Sequence, residues 1–309
     1  MTESLGSIVA TLRGRILRGV QAATLQVGDR LASARELASE FGVDYRMVIA
    51  AYKELAAEGL VDLRPRGGVY VATGPGGGLG RPPLPEGWFA DILVQGLARE
   101  IPGPDLHEWL RRCTETLRLR AVVITTTVDQ GFGLARELRD DFGFEAESVL
   151  ADEVATASPP PLPVRRADLL VTTDAHGDGM RALGASLGKP VIIVAVRPDL
   201  VGGEWAMLLR RPVYAVVATQ EFGDMLHRFF ASVPGIENLR ILVYGRDDLS
   251  TIPESAPTYV TQRVRSQLGA VRIPGRILPA ARTIAGDSAR ELFLFIVRAN
   301  AEAMLRRER

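Results

Sequence analysis

Cysteine is almost absent: Cys113 is alone in 309 residues. No intramolecular disulfide can form, and no cysteine-based zinc site can be built. The thiol falls in an apolar helical stripe with Leu106, Trp109, Leu110 and Leu117, where it reads as a small buried residue. Histidine is also scarce. His107, His176 and His227 lie far apart, and no His-x-x-x-His or His-Glu spacing occurs. Asp174-x-His176-x-Asp178 therefore reads as a polar loop and not as a metal centre. Lysine occurs only at Lys53 and Lys189, so the basic chemistry rests on arginine. Formal net charge is zero, which excludes a global field drawing the chain onto nucleic acid. No apolar run approaches membrane-spanning length and the N-terminus has no apolar signal core, so a cytoplasmic protein with no membrane partner is expected. The glycine-rich run Gly74 to Gly80 lacks the Lys-Ser ending of a phosphate loop, and no Gly-x-Ser-x-Gly elbow is present. No convergent nucleophile, base and orienter stands out. The expectation is a protein that is not an enzyme and needs no cofactor.

What is present is most informative between Gly28 and Ala72. Ser33-Ala34-Arg35-Glu36 is a capping box, in which the Ser33 hydroxyl accepts from the Glu36 amide and Glu36 reaches back to the Ser33 amide. Leu37 and Phe41 follow on one helical face, and Gly42 ends that helix. Asp44 caps a second helix, where Val48, Ala51, Tyr52 and Leu55 recur at helical spacing up to Gly59. Leu60–Leu63 and Val69–Val71 are short β segments around Arg64-Pro65-Arg66-Gly67-Gly68. An earlier helix carries Leu5, Ile8, Val9, Leu12, Ile16 and Leu17. This is a winged helix-turn-helix of α+β type, a unit that offers one helix to a major groove and a wing to the flanking backbone or minor groove. Residues 1–72 hold nine Lys or Arg against eight Asp or Glu, so any DNA-binding charge must be concentrated on one face or doubled by a dimer.

Over residues 4–72 the chain resembles the GntR family of bacterial transcriptional regulators. The resemblance rests on the order Gly-Asp-Arg-Leu-x-Ser-x-Arg-Glu-Leu-Ala, Gly-Val, Ala-Tyr-x-x-Leu, Glu-Gly-Leu-Val and the wing glycine. It implies double-stranded DNA with a two-fold operator as partner, a homodimer, and a DNA contact by Arg35. The recognition helix departs from the family's Gly-Val-Ser-Arg-x-Thr-Val: here it reads Gly42-Val43-Asp44-Tyr45-Arg46-Met47-Val48. Asp44 still caps but repels phosphate, and Tyr45 lacks the bidentate contact that arginine makes to guanine, so Arg46 is expected to take over that contact. In the wing, Arg66 replaces a usual glycine. The expected reading surface is Arg35, Asp44, Tyr45, Arg46, Arg64, Arg66, Gly67 and Gly68.

The rest of the chain is expected to divide into a flexible Gly/Pro linker at 73–87, two connecting helices within 88–118, and a domain spanning 119–309. The connecting helices carry Phe89, Ile92, Leu93 and Leu97, then Leu106, Trp109, Leu110, Cys113 and Leu117, which suits either a cover for the next domain or a dimer interface. From Arg120 onward apolar strands alternate with helices, the pattern of parallel α/β sheets. Strands are predicted at 121–126, 146–150, 168–173, 190–196, 213–218, 239–244, 257–261 and 276–280. Helices are predicted at 130–141, 176–187, 221–232, 262–268 and from 288, the last opening with a second capping box, Ser288-Ala-Arg-Glu291. Val123 to Gly133 parallels Val216 to Gly223, each leading to Phe-Gly in a helix, and Ala167–Thr173 parallels Ala256–Gln262. Two matched pairs in one order imply a two-lobed α/β domain with an internal structural repeat, similar in architecture to bilobed periplasmic-binding-protein-like effector domains.

In such sheets ligands bind beyond the carboxyl ends of the strands. The residues there are Thr126, Thr127, Thr173, Asp174, His176, Thr219, Gln220, Arg246, Asp247 and Thr261, suited to a small polar effector held between lobes, although Thr127, Asp174, Thr219 and Thr261 would also serve simply as helix caps. The leading expectation is a ligand-responsive repressor of the GntR type. The alternatives are a two-lobed α/β enzyme with an appended winged helix, resembling tetrapyrrole-pathway synthases such as uroporphyrinogen-III synthase, and a ligand-blind DNA-binding protein. Because a glycine-rich linker cannot carry torque, communication is expected to run through dimer geometry.

Overall fold

The structure is a computed structural model that describes residues 5–21, 25–65, 67–72, 86–115, 117–197, 200, 205–269, 271–278 and 282–307. Most of the expected linker and wing residue Arg66 lie outside the described residues. The chain divides into two compact units, and neither is continuous in sequence. The first contains Met1–Leu84 and Pro198–Ala281; the second contains Pro85–Arg197 and Arg282–Arg309.

The first unit begins with the winged helix: α1 (Leu5–Gln21), α2 (Ala34–Phe41), α3 (Tyr45–Ala57), β1 (Val61–Arg64) and β2 (Gly68–Val71). The capping box at Ser33 forms as its residue order requires: Glu36 N donates to Ser33 Oγ at 3.2 Å and Ser33 N donates to Glu36 Oε2 at 2.7 Å. The backbone hydrogen bond from Ser33 holds the Glu36 carboxyl below its ordinary range. Gly42 ends α2 with φ of +65°, a left-handed conformation open to glycine without strain. The turn is two residues long before Asp44 caps α3, its Oδ1 accepting from Arg46 N at 2.7 Å. Ile8, Phe41, Val48, Ala51 and Leu55 are fully buried, so α1 and the wing close over the face shared by α2 and α3. Replacing Ser33 with alanine is expected to remove about 1 kcal/mol from the stability of this region. Glu36's share is present at neutral pH and is lost as pH falls through its depressed folded value, so the gap between wild type and variant should narrow in acid. Urea titrations at neutral and acid pH check both.

The same unit continues with α10 (Ala206–Leu208) and a sheet of β7 (Val213–Val217), β8 (Leu239–Val243), β9 (Pro257–Val260) and β10 (Arg276–Ile277). All pairings are parallel, in the order β8-β7-β9-β10. The crossovers run through α11 (Gln220–Phe229) and α12 (Gln262–Gln267). Val216, Val260, Val264 and Ile273 form one core. Trp205 stacks on Phe230 with ring centroids 4.7 Å apart and meets Tyr259 edge-on at 5.5 Å.

The second unit holds α4 (Glu86–Leu97), α5 (Leu106–Glu115) and a parallel sheet of β3 (Arg120–Thr125), β4 (Glu145–Leu150), β5 (Leu169–Thr172) and β6 (Val191–Ile193), in the order β4-β3-β5-β6. Its helices are α6 (Val128–Phe142), α7 (Ala151–Thr156), α8 (Leu162–Arg166), α9 (Gly177–Leu187) and α13 (Gly286–Arg307). Strand alternation sorts β3 between two cores. Ala121 and Val123 pack with α6 and with Leu292 and Ile296 of α13, whereas Val122 and Ile124 pack with Val154, Val164 and Met180. Both sheets thus place their first strand second in the order, and both consist of parallel strands.

The strand predictions agree with the structure to within two residues at most ends, with instructive departures. The strand expected at 190–196 stops at Ile193 because Val196 turns away to bridge Ile284 in antiparallel fashion. The expected capping box at Ser288 does not open the last helix. That helix already begins at Gly286, and the buried Ser288 hydroxyl instead accepts from Ala195 N at 3.0 Å. The pairing of Phe132-Gly133 with Phe222-Gly223 is also out of phase. Counted from the caps Thr127 and Thr219, Gly131 is the counterpart of Gly223. A Cβ would lie 2.9 Å from Ser148 Cβ at Gly131 and 2.6 Å from Ile241 Cγ2 at Gly223, so both glycines let their helix approach the second strand of its sheet. Nothing lies within 4 Å of a Cβ at Gly133. Among the described residues no helix is long and apolar enough to cross a membrane.

Candidate nucleic-acid interface

The caps that start α2 and α3 fix what the winged helix presents to solvent. Because Asp44 is the N-cap of α3, the first-turn side chains Tyr45 and Arg46 point outward, and Tyr45 is 46% exposed. Arg46, Asp44 and Arg35 are exposed too, and Ile49 and Lys53 extend the outer face of α3. The Asp44 carboxylate is bonded to the Arg46 amide, so its charge is tied to the helix end. In the wing, the Arg64 guanidinium stacks on the Tyr70 ring at 3.9 Å, and Tyr70 OH donates to Gly67 O at 3.1 Å. Gly67 and Gly68 form the tip, Gly68 with φ of +109°. A Cβ at Gly68 would sit 3.2 Å from Arg30 Nε, which places an exposed arginine overlooked by the sequence reading against the wing. Arg13 on α1 and Glu58 at the end of α3 are ion-paired, which holds the Glu58 carboxyl below its usual range and supports the far end of the reading helix.

Side chains from the β7–β10 part of the same unit pack into the winged helix and bind its second helix. Met207 is completely buried in the winged-helix core. Arg210 Nη1 donates to the carbonyls of Phe41 at 2.9 Å and Gly42 at 3.3 Å, satisfying acceptors that the end of α2 leaves open. Arg211 Nη1 donates to Ser39 Oγ at 2.7 Å. Glu40 Oε1 accepts from Arg15 at 2.7 Å, and its other oxygen is ion-paired with Arg276 on β10. The Arg15 and Glu40 side chains are only 9% and 5% exposed, and the Arg15 guanidinium lies 4.8 Å from the centre of the Phe41 ring. Arginines remote in sequence therefore grip α2 along its length. The sequence reading has no such contact, because a residue some 170 positions away leaves no local pattern.

The candidate effector residues divide by unit. In the second unit Thr126 and His176, which follow the neighbouring strands β3 and β5, are brought together, with Oγ1 and Nε2 2.8 Å apart. Thr127 is buried and caps α6, accepting from Gln130 N at 3.4 Å. Thr173 is half-buried and Asp174 exposed, without a side-chain capping bond at that helix start. In the first unit Gln220 and Arg246, which follow β7 and β8, meet at 2.9 Å. Arg246 makes two further bonds of 2.9 Å to Asp247. That bond, aided by the Val243 amide, pulls the Asp247 carboxyl down to about 2. Thr219 and Thr261 cap α11 and α12, accepting at 3.4 and 3.3 Å. A capping threonine uses its oxygen as acceptor and keeps its O–H to donate. Each set is polar and lies at the carboxyl ends of its own sheet. No group of three or more His, Cys, Asp or Glu side chains able to hold a metal ion occurs among the described residues.

A capped two-residue turn, an exposed helix start and an arginine-bearing wing define a winged helix-turn-helix domain. Residues 6–71 match the family model described as bacterial regulatory proteins, gntR family, and this segment is a GntR-family helix-turn-helix domain. Over 61 residues the chain is 38% identical to an HTH-type transcriptional regulator of Mycobacterium tuberculosis, a match covering 20% of this chain and 50% of the relative. The chain thus spans about half the length of that relative. Among solved structures, a transcriptional antiterminator from Listeria monocytogenes EGD-e is similar at 20% identity over 36% of this chain and 81% of that one. Its TM-score of 0.23 is too low to argue a shared arrangement.

Proposed function

We propose that the protein is a DNA-binding transcriptional regulator that responds to a small polar effector, acting as a repressor in the cytoplasm and without catalysis of its own. The observation that carries this reading is the exposed start of α3, where Tyr45 and Arg46 stand free of the core beside a wing bearing Arg64. Arg46 supplies the fork able to engage guanine in a major groove, and Arg35 on α2 lies where the first helix of such a motif crosses the phosphate backbone. Substituting either with alanine is expected to cost about 1–3 kcal/mol of duplex affinity. Arg46→Ala should also relax sequence preference, while Arg35→Ala should weaken all duplexes alike. Gel-shift titrations on a selected site and on an unrelated duplex measure both. Unchanged affinity in both variants would overturn this reading surface.

Two parallel sheets of the same strand order support a duplicated, two-lobed effector domain. Its ligand groups would be Thr126, Thr173, Asp174 and His176 with the first sheet, and Gln220, Arg246 and Asp247 with the second, Thr127, Thr219 and Thr261 adding hydroxyl donors. Saturable thermal stabilisation by a central metabolite, without turnover, is the result this reading expects. The homodimer would form through the apolar side chains that α4 and α5 leave exposed, among them Leu93, Val94, Leu97, Trp109 and Leu110. The grip of Arg210, Arg211 and Arg276 on α2 supplies a route from effector domain to reading head that needs no torque from the linker.

A further inference from the structure

An open groove of about 1190 Å³ runs along α2. Its winged-helix wall includes Arg30, Ser33, Arg35 and Ser39, and its opposite wall, from the β7–β10 region, includes Arg211 and Glu254. We infer that Arg211 is a phosphate-contacting residue, so that the DNA-backbone surface extends beyond the winged helix onto the α/β sheet region of the same unit. This rests on the DNA-binding reading above.

When the second helix of a helix-turn-helix enters the major groove, the first crosses the phosphate backbone. The outward face of α2 therefore meets phosphates. Arg35 and Ser39 are exposed and four residues apart on that face, one helical turn from each other. The Arg211 guanidinium is bonded to Ser39 Oγ at 2.7 Å, so it stands on α2 about one turn from Arg35. Arg30 stands at the other end, against wing residue Gly68. Three exposed guanidinium groups thus line one groove from wing to sheet region. The bond to Ser39 uses one of five N–H donors on Arg211, and the others remain suited to a bidentate phosphate contact. The adjacent Arg210, anchored on the Phe41 and Gly42 carbonyls, keeps this segment on α2. The acids facing the groove are Glu36, which is exposed and tied through one oxygen to the capping box, and Glu254, whereas Glu40 is buried between Arg15 and Arg276.

The test is fluorescence anisotropy of the full chain with two unrelated duplexes across a series of KCl concentrations. Arg211→Gln is expected to weaken binding to both duplexes by a similar factor, about 3–10-fold, and to lower the slope of log affinity against log salt by about 0.9, the loss of one phosphate contact. Ser39→Ala, which removes the anchoring bond but no charge, should keep the wild-type slope, as should Arg228→Gln on α11 away from the groove. A wild-type slope in Arg211→Gln would overturn the inference, as would an equal loss of slope in Ser39→Ala, since Arg211 would then act only by docking α2. A slope lost in Arg35→Gln but kept in Arg211→Gln would overturn this extension alone. Absence of salt-dependent duplex binding by the unsubstituted chain would overturn the DNA-binding reading with it.

Discussion

Glu40→Ala is expected to destabilise the first unit by about 3–5 kcal/mol, as removal of one partner from a buried ion pair does. Glu40 is almost fully covered, lies beside Phe41 at the end of α2, and is shared by Arg15 from α1 and Arg276 from β10. Taking away the carboxylate removes the charged acceptor 2.7 Å from the buried Arg15 guanidinium, and also removes an anchor between the winged helix and the sheet region. The desolvation cost of Arg15 then dominates, because the few remaining contacts cannot replace a hydrogen bond of 2.7 Å to a charged acceptor. A double variant, Arg15→Met with Glu40→Leu, should recover most of the loss, since an apolar pair of similar size avoids the buried charge altogether. Urea unfolding followed by far-UV circular dichroism measures both. A loss below about 1 kcal/mol in Glu40→Ala would mean that the pair is solvated, not buried.

For the proposed homodimer, Trp109→Glu is expected to give monomers and to lower affinity for a two-fold site by about 100-fold or more, because the second half-site contact is then no longer intramolecular. The residues of α4 and α5 explain the size of this effect. Val94, Leu97 and Leu110 are 63%, 59% and 54% exposed, and Trp109 and Leu93 are 48% and 41% exposed, so both helices leave large apolar side chains open to a partner. On α5 the inner positions Leu106 and Cys113 are half-buried, so the glutamate at Trp109 would sit on the open side and leave the fold of the unit intact. Sedimentation equilibrium and a gel shift on a palindromic duplex form the check. A variant that remains dimeric with normal DNA binding would remove these helices from the interface.

Much of the fold was legible because it is specified locally. Ser33, Gly42 and Asp44 are punctuation whose meaning depends on neighbours within four residues, and each performs the expected task. Val-rich runs ending in threonine became buried parallel strands for the same reason. The short helices α7 and α8 were missed because their starts, behind Leu150 and Pro161, carry no capping side chain to mark them, whereas the similarly short α12 is announced by Thr261. Ser288 was misread because a capping box is only a residue pattern, and tertiary contact with Ala195 took its hydroxyl. The clamp on α2 was invisible for a deeper reason. Arg210, Arg211 and Arg276 look like ordinary surface arginines, and Glu40 looks like one more solvated acid on an amphipathic helix. Only the folded chain brings them together. Of the proposed reading surface, Arg35 was accessible through the GntR resemblance and Tyr45, Arg46 and Arg64 through caps and turns, whereas Arg30 and Arg211 depend on three-dimensional proximity.

The central claim is that the start of α3 reads DNA sequence. Selection of duplexes from a randomised pool by the full chain, repeated with Arg46→Ala, tests it most directly. Enrichment of a two-fold-symmetric site by the unsubstituted chain is expected, with loss of preference at the matching symmetric positions in the variant. Failure to enrich any sequence, or an identical site selected by Arg46→Ala, would contradict it.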